Sequence, residues 1–279
     1  MITSQTFLLI GLPGSRFRSR EERLIRFKSM YGISPEVASD LWYMCDFRRG
    51  TKPKHLLWGL LQLNVYASEH VLTTITGVDR KTFRKWSWAC IESIWNSLPD
   101  VVKLADRFKA GPYGSKRRTC LMTVDGTDFP IAEPQPFDKK WFCQKTRHAG
   151  VRYEVAVCIQ TGEIVHVNGP FACGRWPDLK IYRSFLKQML QPGEMVEADD
   201  GYPDLTVRMA SHHVSHQDTR ARSRARARHE ATNKLFKQWG CLRQSFRHPL
   251  YKHKYCFGAV VVCTQLSMRR EGVPFHVVY

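Results

Sequence analysis

The sequence of 279 residues predicts a mixed α/β domain at residues 111–279, preceded by a helical region at residues 1–110. In the first region, apolar residues recur at three- and four-residue steps, which is the period of amphipathic helices. In the second region, short β-branched runs follow a basic linker that is rich in glycine and proline. With 43% hydrophobic and 12% aromatic residues, the chain has enough apolar side chains to build a folded core.

The helical region contains three strongly periodic segments separated by glycine and proline breaks. The segments are residues 34–47, 53–67 and 82–98, and the breaks are Gly50, Gly77 and Pro99. Residues 69–88 form the outline of a helix-turn-helix, because a turn at Gly77 separates one helical stretch from a second, basic one. DNA binding and plain helix packing both account for this outline, and helix packing is favoured.

The second region alternates predicted strands and helices. The strands are expected at residues 119–124, 152–160, 163–168 and 195–198, and the helices at residues 177–190 and from about residue 220 through Trp239. Thr161 and Gly162 indicate a hairpin turn between the second and third strands. This order predicts a mixed sheet covered by helices.

The chain is strongly basic, with a formal net charge of +18. Residues 205–254 contain twelve lysines and arginines but only two acids, Asp218 and Glu230. Such a concentration favours a polyanionic partner, whose phosphates it would contact. The candidate nucleic-acid-binding residues are Arg220, Arg222, Arg224, Arg226, Arg228, Lys234 and Lys237.

The arginines from 220 to 228 alternate with small or polar residues. On a helix they would wrap around the axis, so a flexible arm or an extended strand would present them better. We therefore expect partial disorder there. A solvated charge run and a nuclear import signal explain the same residues equally well.

The nine cysteines include no CxxC pair, and most lie in apolar runs. We interpret them as reduced core thiols of a cytosolic or nuclear protein, with no disulfide framework and no zinc finger. The longest apolar runs fall well short of a membrane span, so we expect a soluble protein that does not bind membranes.

Four acidic residues lie where predicted elements start or stop: Asp125, Asp178, Asp199 and Glu230. Clustered carboxylates raise one another's pKa unless a cation neutralises them, and oxygen ligands suit Mg²⁺ or Mn²⁺. Each residue also has an ordinary explanation. Asp125 could form a turn with Gly126, Asp178 could cap its helix, and Glu230 could pair with surface arginines.

The order and surroundings of these acids resemble those of the PIF/Harbinger group of DDE transposases. The matching segments are Val124-Asp125-Gly126-Thr127, Gly174-Arg175-Trp176-Pro177-Asp178, Ala198-Asp199-Asp200-Gly201-Tyr202 and Arg228-His229-Glu230, followed by Phe246-Arg247-His248, Cys256-Phe257 and Thr264-Gln265-Leu266. The resemblance covers about residues 119–279, and the motifs come in the family's order.

The resemblance implies a ribonuclease-H-like catalytic core with a mixed sheet. It implies that Asp125, Asp199 and Glu230 are the catalytic residues, and that they bind Mg²⁺ or Mn²⁺ with support from Asp178. Asp200 is the alternative to Asp199 as the metal ligand. We favour Asp199, because Gly-Tyr begins two residues after the aspartate in the family's motif. The expected activity is hydrolysis of DNA phosphodiester bonds, with strand transfer in a complete transposase.

By the same resemblance, we expect the protein to act in the nucleus, with a Myb-like DNA-binding protein as a partner. A homo-oligomer is compatible with the sequence, which does not fix its state. Two alternatives remain open. One is a non-catalytic, host-recruited DNA-binding protein derived from a transposase, and the other is an RNA-processing nuclease with the same core.

Overall fold

The computed structural model describes residues 1–12, 19–109, 120–209 and 216–278. The chain divides into two compact units. The helical unit comprises Met1–Val101 and Leu235–Glu271, and the sheet unit comprises Val102–Lys234 and Gly272–Tyr279. The boundary between residues 110 and 111 remains a prediction about domains, and the predicted linker at residues 111–118 lies outside the described residues.

The described residues contain eleven α-helices. They are α1 (Ser4–Gly11), α2 (Arg20–Tyr31), α3 (Pro35–Met44), α4 (Pro53–Asn64), α5 (Glu69–Thr76), α6 (Arg80–Asn96), α7 (Leu98–Val101), α8 (Asp178–Ser184), α9 (His216–Phe236), α10 (Gly240–Arg243) and α11 (His253–Glu271). The three periodic segments of the N-terminal region are confirmed as α3, α4 and α6.

Local signals fix the ends of these helices. Pro35 and Pro53 occupy the first turn of α3 and α4, where a missing N–H is tolerated. Gly77 ends α5 in the left-handed conformation, and the side chain of Asp79 accepts a hydrogen bond from Thr82 N to start α6. The predicted pair of helices around Gly77 is therefore present, while its role in DNA binding stays a prediction.

The sheet unit is built on a mixed sheet, as the sequence predicts. Its strands are β1 (Cys120–Pro130), β2 (Phe142–Cys143), β3 (His148–Cys158), β4 (Ile164–Ala172), β5 (Met195–Glu197) and β6 (Val207–Arg208). β3 lies antiparallel between β1 and β4, and β2 pairs with its first residues. On the other side, β5 is parallel to β1, and β6 is parallel to β5.

The first strand is longer than the sequence indicated. We expected it to end at residue 124, which would have placed Asp125 in a turn. Instead β1 continues to Pro130, and its pairing with β3 runs from Met122–Cys158 to Pro130–Gly150. This long antiparallel register satisfies the backbone groups on both sides of Asp125 and outweighs the turn preference of the Asp-Gly pair.

The two faces of the sheet are covered by different helices. On one face, Met122 and Val124 of β1 pack with Tyr182 of α8 and Leu186, in an apolar cluster that includes Val196. The opposite face is covered by α9, whose His229 Nδ1 lies 2.7 Å from Thr123 Oγ1 and whose Ala225 packs with Ile159. The acidic residues of β1 and β5 therefore lie between two packed layers.

Two helices differ from their predicted extent. The helix expected at residues 177–190 ends at Ser184, and Leu186–Met189 forms a 3₁₀ turn after an irregular Phe185. The helix predicted from about residue 220 through Trp239 is confirmed as α9, which ends at Phe236, and the expectation of a flexible arm at residues 220–228 is therefore wrong. Arg222 and Arg228 are buried, so α9 has a buried face that the spacing of the arginines in the sequence did not suggest.

All nine cysteines are free and buried, as expected of reduced core thiols. Among the helices that the structure describes, none combines the length and the apolar character that a membrane crossing requires.

Candidate active site

Asp125 lies on the face of β1 that α9 covers. Asn233 of α9 donates a hydrogen bond from Nδ2 to Asp125 Oδ2 at 2.9 Å. One helical turn earlier, His229 Nδ1 lies 2.7 Å from Thr123 Oγ1, and Thr123 shares the face of Asp125 because it is two residues away on the strand. Burial lowers the pKa of His229 to about 3, with Arg228 adding to the effect, so its ring is neutral near pH 7. These two contacts align α9 with the centre of β1.

Asp178 is the first residue of α8, and its carboxylate lies directly against β1. A Cβ atom at Gly126 would lie 1.8 Å from Asp178 Oδ1, so any larger residue would displace the carboxylate. The N-cap residue of α8 is Pro177, and no side chain caps the helix. Asp178 is therefore not the capping residue that its sequence position allowed.

The Asp178 carboxylate is partly buried and incompletely neutralised. Within the described part of the chain, its Oδ1 atom makes no hydrogen bond, although Arg152 Nε lies 3.2 Å away. The pKa of Asp178 is raised to about 6, chiefly by burial. The charge of Arg152 lowers it, whereas Asp128 and Asp199 raise it further.

Asp125 has an even higher pKa, raised to about 7. Burial is the main cause, and the charges of Asp178 and Asp199 add to it, while Lys145 opposes them. Asp125, Asp178 and Asp199 therefore interact electrostatically, as residues that share one site do. A cation bound among them would relieve this repulsion.

Asp199 follows β5, the parallel neighbour of β1, and its exposed side chain accepts a hydrogen bond from Gly201 N at 2.9 Å. Asp200 is also exposed. Tyr202, which ends this motif, is buried, and its hydroxyl has no hydrogen-bond partner among the residues that the structure describes. Its pKa is raised well above the usual value by burial and then by the nearby carboxylates, including Asp178 and Asp125. This motif therefore extends from the exposed edge of the site into its interior.

Glu230 is an exposed residue of α9, three positions before Asn233. Residues three apart lie on one side of a helix, so Glu230 lies within one turn of the contact with Asp125. Among the described residues, the acids of this region do not form a group of three whose ligand atoms all lie within 4.8 Å of one another. The charges of Asp178 and Asp199 thus act on Asp125, whereas Glu230 is an exposed residue of α9.

Two of the candidate DNA-binding arginines lie inside the protein. Arg222 is 3% exposed, and its Nε atom lies 2.9 Å from the fully buried Glu197. Arg228 is 1% exposed and donates from Nη2 to the carbonyl oxygens of Cys158 and Ile159. These side chains join α9 to the sheet, and in this arrangement they are not presented to a phosphate backbone.

The other basic candidates are more accessible. Arg226 is partly buried, with Nη1 3.5 Å from Glu197 Oε2, whereas Arg224 is exposed and donates to His276 O at 3.1 Å. Arg220, Lys234 and Lys237 are also exposed. The spacing of the arginines could not distinguish the buried members of the series from the exposed ones.

The sequence did not predict the contributions of several residues to this site. Gly126 was interpreted only as part of a turn, but it makes room for Asp178. Arg152 reaches Asp178 from β3, and Asn233 holds Asp125 from α9. Asn233 follows Glu230 by three residues, so helical periodicity could have found it. The position of Arg152 near Asp178 depends on the pairing of β3 with β1, for which the sequence has no local signal.

A family model described as DDE superfamily endonuclease matches residues 124–267. This match covers more than half of the chain, and the chain therefore belongs to this family. Family membership implies a ribonuclease-H-like fold, with which the mixed sheet agrees, and a transposase-type nuclease that acts on DNA. Comparison with curated proteins and with solved structures gave no match.

Enzymes of this family typically use divalent metal ions, and the residues around Asp125 fit such ions. The buried Oδ1 atom of Asp178 lacks a hydrogen-bond donor, and the pKa values of both carboxyl groups are raised. A cation would offset both effects, and an oxygen-rich ligand set suits Mg²⁺ or Mn²⁺.

Proposed function

We propose that the protein is a metal-dependent DNA endonuclease of the transposase type, which hydrolyses phosphodiester bonds and can transfer strands. The observation that carries this proposal is the group of incompletely neutralised carboxylates around Asp125 in a chain of net charge +18. Phosphate binding alone would be weakened by such a group, whereas metal-dependent cleavage requires one.

In this proposal, Asp125, Asp199 and Glu230 hold Mg²⁺ or Mn²⁺, and Asp178 supports them. Bound ions would activate the attacking water or 3′ hydroxyl and stabilise the leaving oxygen. Asn233 orients Asp125 through its hydrogen bond, and Arg152 restrains Asp178. Asp199 is preferred to Asp200 because its charge raises the pKa of both Asp125 and Asp178.

DNA would be bound by exposed basic residues, which neutralise phosphates and position the backbone. We assign this role to the exposed Arg220, Arg224, Lys234 and Lys237, and to the partly exposed Arg226. We add Lys145, whose charge acts on Asp125 and Asp178. Arg222 and Arg228 are left out of the proposed contact set because they are buried.

The test is nicking of supercoiled plasmid DNA in Mg²⁺ or Mn²⁺ by the full chain. We expect Asp125→Asn, Asp199→Asn and Glu230→Gln each to reduce the rate by at least about 1,000-fold, equivalent to about 4 kcal/mol of transition-state stabilisation. Asp200→Asn is the matched control, because it removes an equally exposed carboxylate one residue from Asp199, and it should change the rate less than about fivefold.

The same assay decides between the proposal and its alternatives. Unchanged cleavage in both Asp125→Asn and Glu230→Gln would refute the assigned site. DNA binding without cleavage in any divalent metal would support the non-catalytic DNA-binding protein. Cleavage of RNA but not of DNA would support the RNA-processing nuclease.

The proposal includes the nucleus as the place of action, a Myb-like DNA-binding partner and self-association. The family-level resemblance and the basic surface support these points. Fluorescence of the tagged chain in cells tests the first point. Co-purification and light scattering, with and without DNA, test the other two.

A further inference from the structure

A second cluster of metal-binding side chains lies beyond the acidic site, on β1, β2 and the segment after β4. It consists of Asp128, Cys143 and Cys173, each of which offers one ligand atom, and these atoms all lie within 4.8 Å of one another. Cys143 Sγ lies 3.2 Å from Asp128 Oδ2. Both cysteines are buried, at 1% and 6% exposure.

Two glycines make this convergence possible. Gly150 of β3 lies beneath the cluster, where a Cβ atom would come within 3.3 Å of Cys173 Sγ and 3.5 Å of Cys143 Cβ. Gly174 allows the segment after Cys173 to pack closely against the backbone of Lys139, because a Cβ atom at position 174 would lie 2.4 Å from Lys139 O. The Gly174 N–H also donates to Lys140 O at 2.9 Å. The backbone therefore holds the two thiols together over the sheet.

We propose that Asp128, Cys143 and Cys173 bind one Zn²⁺ ion. Two thiolates and a carboxylate are ligands that zinc accepts, whereas thiolates disfavour Mg²⁺. Separations below 4.8 Å agree with a tetrahedron in which Zn–S bonds are about 2.3 Å and Zn–O bonds about 2.1 Å long. Cys173 also lines a cavity of about 710 Å³, from which a water molecule can occupy the fourth position.

The charges at this site balance when zinc binds. Both thiols lose their protons to solvent, and the two thiolates match the charge of Zn²⁺. Asp128 keeps its ion pair with Arg152, whose Nε and Nη2 atoms donate to the two carboxylate oxygens at 2.6 and 2.7 Å. Oδ2 retains a second lone pair, which now accepts the Cys143 S–H and would bind the ion.

The bound ion would stabilise the approach to the acidic site. It ties β2 to Cys173, and only four residues separate Cys173 from Asp178. Arg152 contacts both Asp128 and Asp178, at 2.6 and 3.2 Å. The zinc site therefore supports the segment that presents Asp178, and this inference does not depend on nuclease activity.

The experiment titrates the full chain, stripped of metal and kept reduced, with Co²⁺ and then with Zn²⁺. We expect thiolate-to-cobalt charge-transfer absorption that Zn²⁺ abolishes at about one equivalent per chain. Cys143→Ser and Cys173→Ser should each weaken zinc binding by at least about 100-fold. Cys158→Ser, an equally buried change on β3, is the matched control and should leave zinc binding unchanged.

A second measurement tests the proposal on the unmodified chain, in case the cysteine variants do not fold. In the unmodified chain, zinc should protect Cys143 and Cys173 from alkylation under mild denaturant, as mapped by peptide mass spectrometry. Cys143→His, which retains a ligand, should still bind zinc with a weaker cobalt–thiolate band. The proposal is overturned if the unmodified chain shows no such band, if zinc protects neither cysteine, or if the reduced chain readily forms a Cys143–Cys173 disulfide while failing to bind zinc.

Discussion

Carboxylates in two regions of the sheet unit, one buried and the other partly buried, have opposite surroundings. Glu194 is paired with Arg107 at 2.7 Å, and both side chains are 4% exposed. Asp125, by contrast, has only the neutral Asn233 as its side-chain hydrogen-bond partner among the described contacts, and Asp178 has one imperfectly placed arginine. In the first arrangement, an arginine of the protein neutralises the buried charge. In the second, negative charge remains that a bound cation could neutralise.

This difference separates a structural role from a functional one. An unneutralised, partly buried carboxylate destabilises a fold, so its presence needs another reason, and pKa values raised in this way concentrate at functional sites. The same strand contains both kinds of carboxylate. Asp128 lies three residues after Asp125 on β1 and has a full ion pair with Arg152.

Removing the cation of a neutralised pair should give the largest effect on stability. We expect Arg107→Met to lower the free energy of unfolding by about 3–5 kcal/mol, because Glu194 would remain buried without its partner. Urea denaturation at pH 7 measures this loss. Lys140→Met, which breaks the solvent-exposed pair with Asp138, should have a much smaller effect, because water screens that pair. Equal losses in the two variants would contradict the interpretation of Arg107–Glu194 as a charge-compensating pair.

The two aspartates of β1 should respond in opposite directions to neutralisation. The pKa of Asp125 is raised from 3.8 to about 7, so stability that is present below pH 3.8 is lost as the pH rises towards 7. In chelator at pH 8, we expect Asp125→Asn to raise the free energy of unfolding by about 1–2 kcal/mol. Thermal unfolding between pH 5 and pH 8 should show a flatter pH dependence for this variant.

Asp128→Asn is the matched variant of that experiment. Burial raises the pKa of Asp128, but the hydrogen bonds and charge of Arg152 outweigh it, so the net pKa is lowered. Its stabilising contribution is therefore present above pH 3.8 and is lost as the pH falls through the lowered pKa. We expect this variant to be less stable than the unmodified chain at pH 8. A gain in stability for Asp128→Asn, or a loss for Asp125→Asn, would remove the distinction between the two regions.

The sequence predicted those features that depend on local pattern. Apolar periodicity located α3, α4 and α6, and β-branched runs located β3, β4 and β5. The hairpin turn at Thr161 and Gly162 is confirmed, because Gly162 adopts a positive φ of 78° between β3 and β4. These elements rely on interactions between residues close in the chain, which short segments specify by themselves.

Features that depend on pairing between distant segments escaped prediction. The extension of β1 past Asp125 follows from its register with β3, and the burial of Arg222 follows from Glu197 on β5. Neither partner is visible in the local sequence, since an arginine run has the same composition on a buried face as in solvent. The convergence of Cys143 and Cys173 escaped for the same reason, because they lie thirty positions apart in the chain with a β-hairpin between them.

The smallest of the three expected effects concerns Asn233, which donates a hydrogen bond from Nδ2 to Asp125 Oδ2. We expect Asn233→Ala to reduce the free energy of unfolding by about 1 kcal/mol and to raise the pKa of Asp125 above its present value of about 7. Titration of the carboxyl carbon by NMR, in chelator, measures the pKa directly. Asn96→Ala, an exposed change at the end of α6, should leave that titration unaltered. An unchanged Asp125 titration in Asn233→Ala would mean that Asn233 only packs against β1. A further rise would mean that α9 tunes the carboxylate as well as covering it, which explains why a polar residue occupies this buried position.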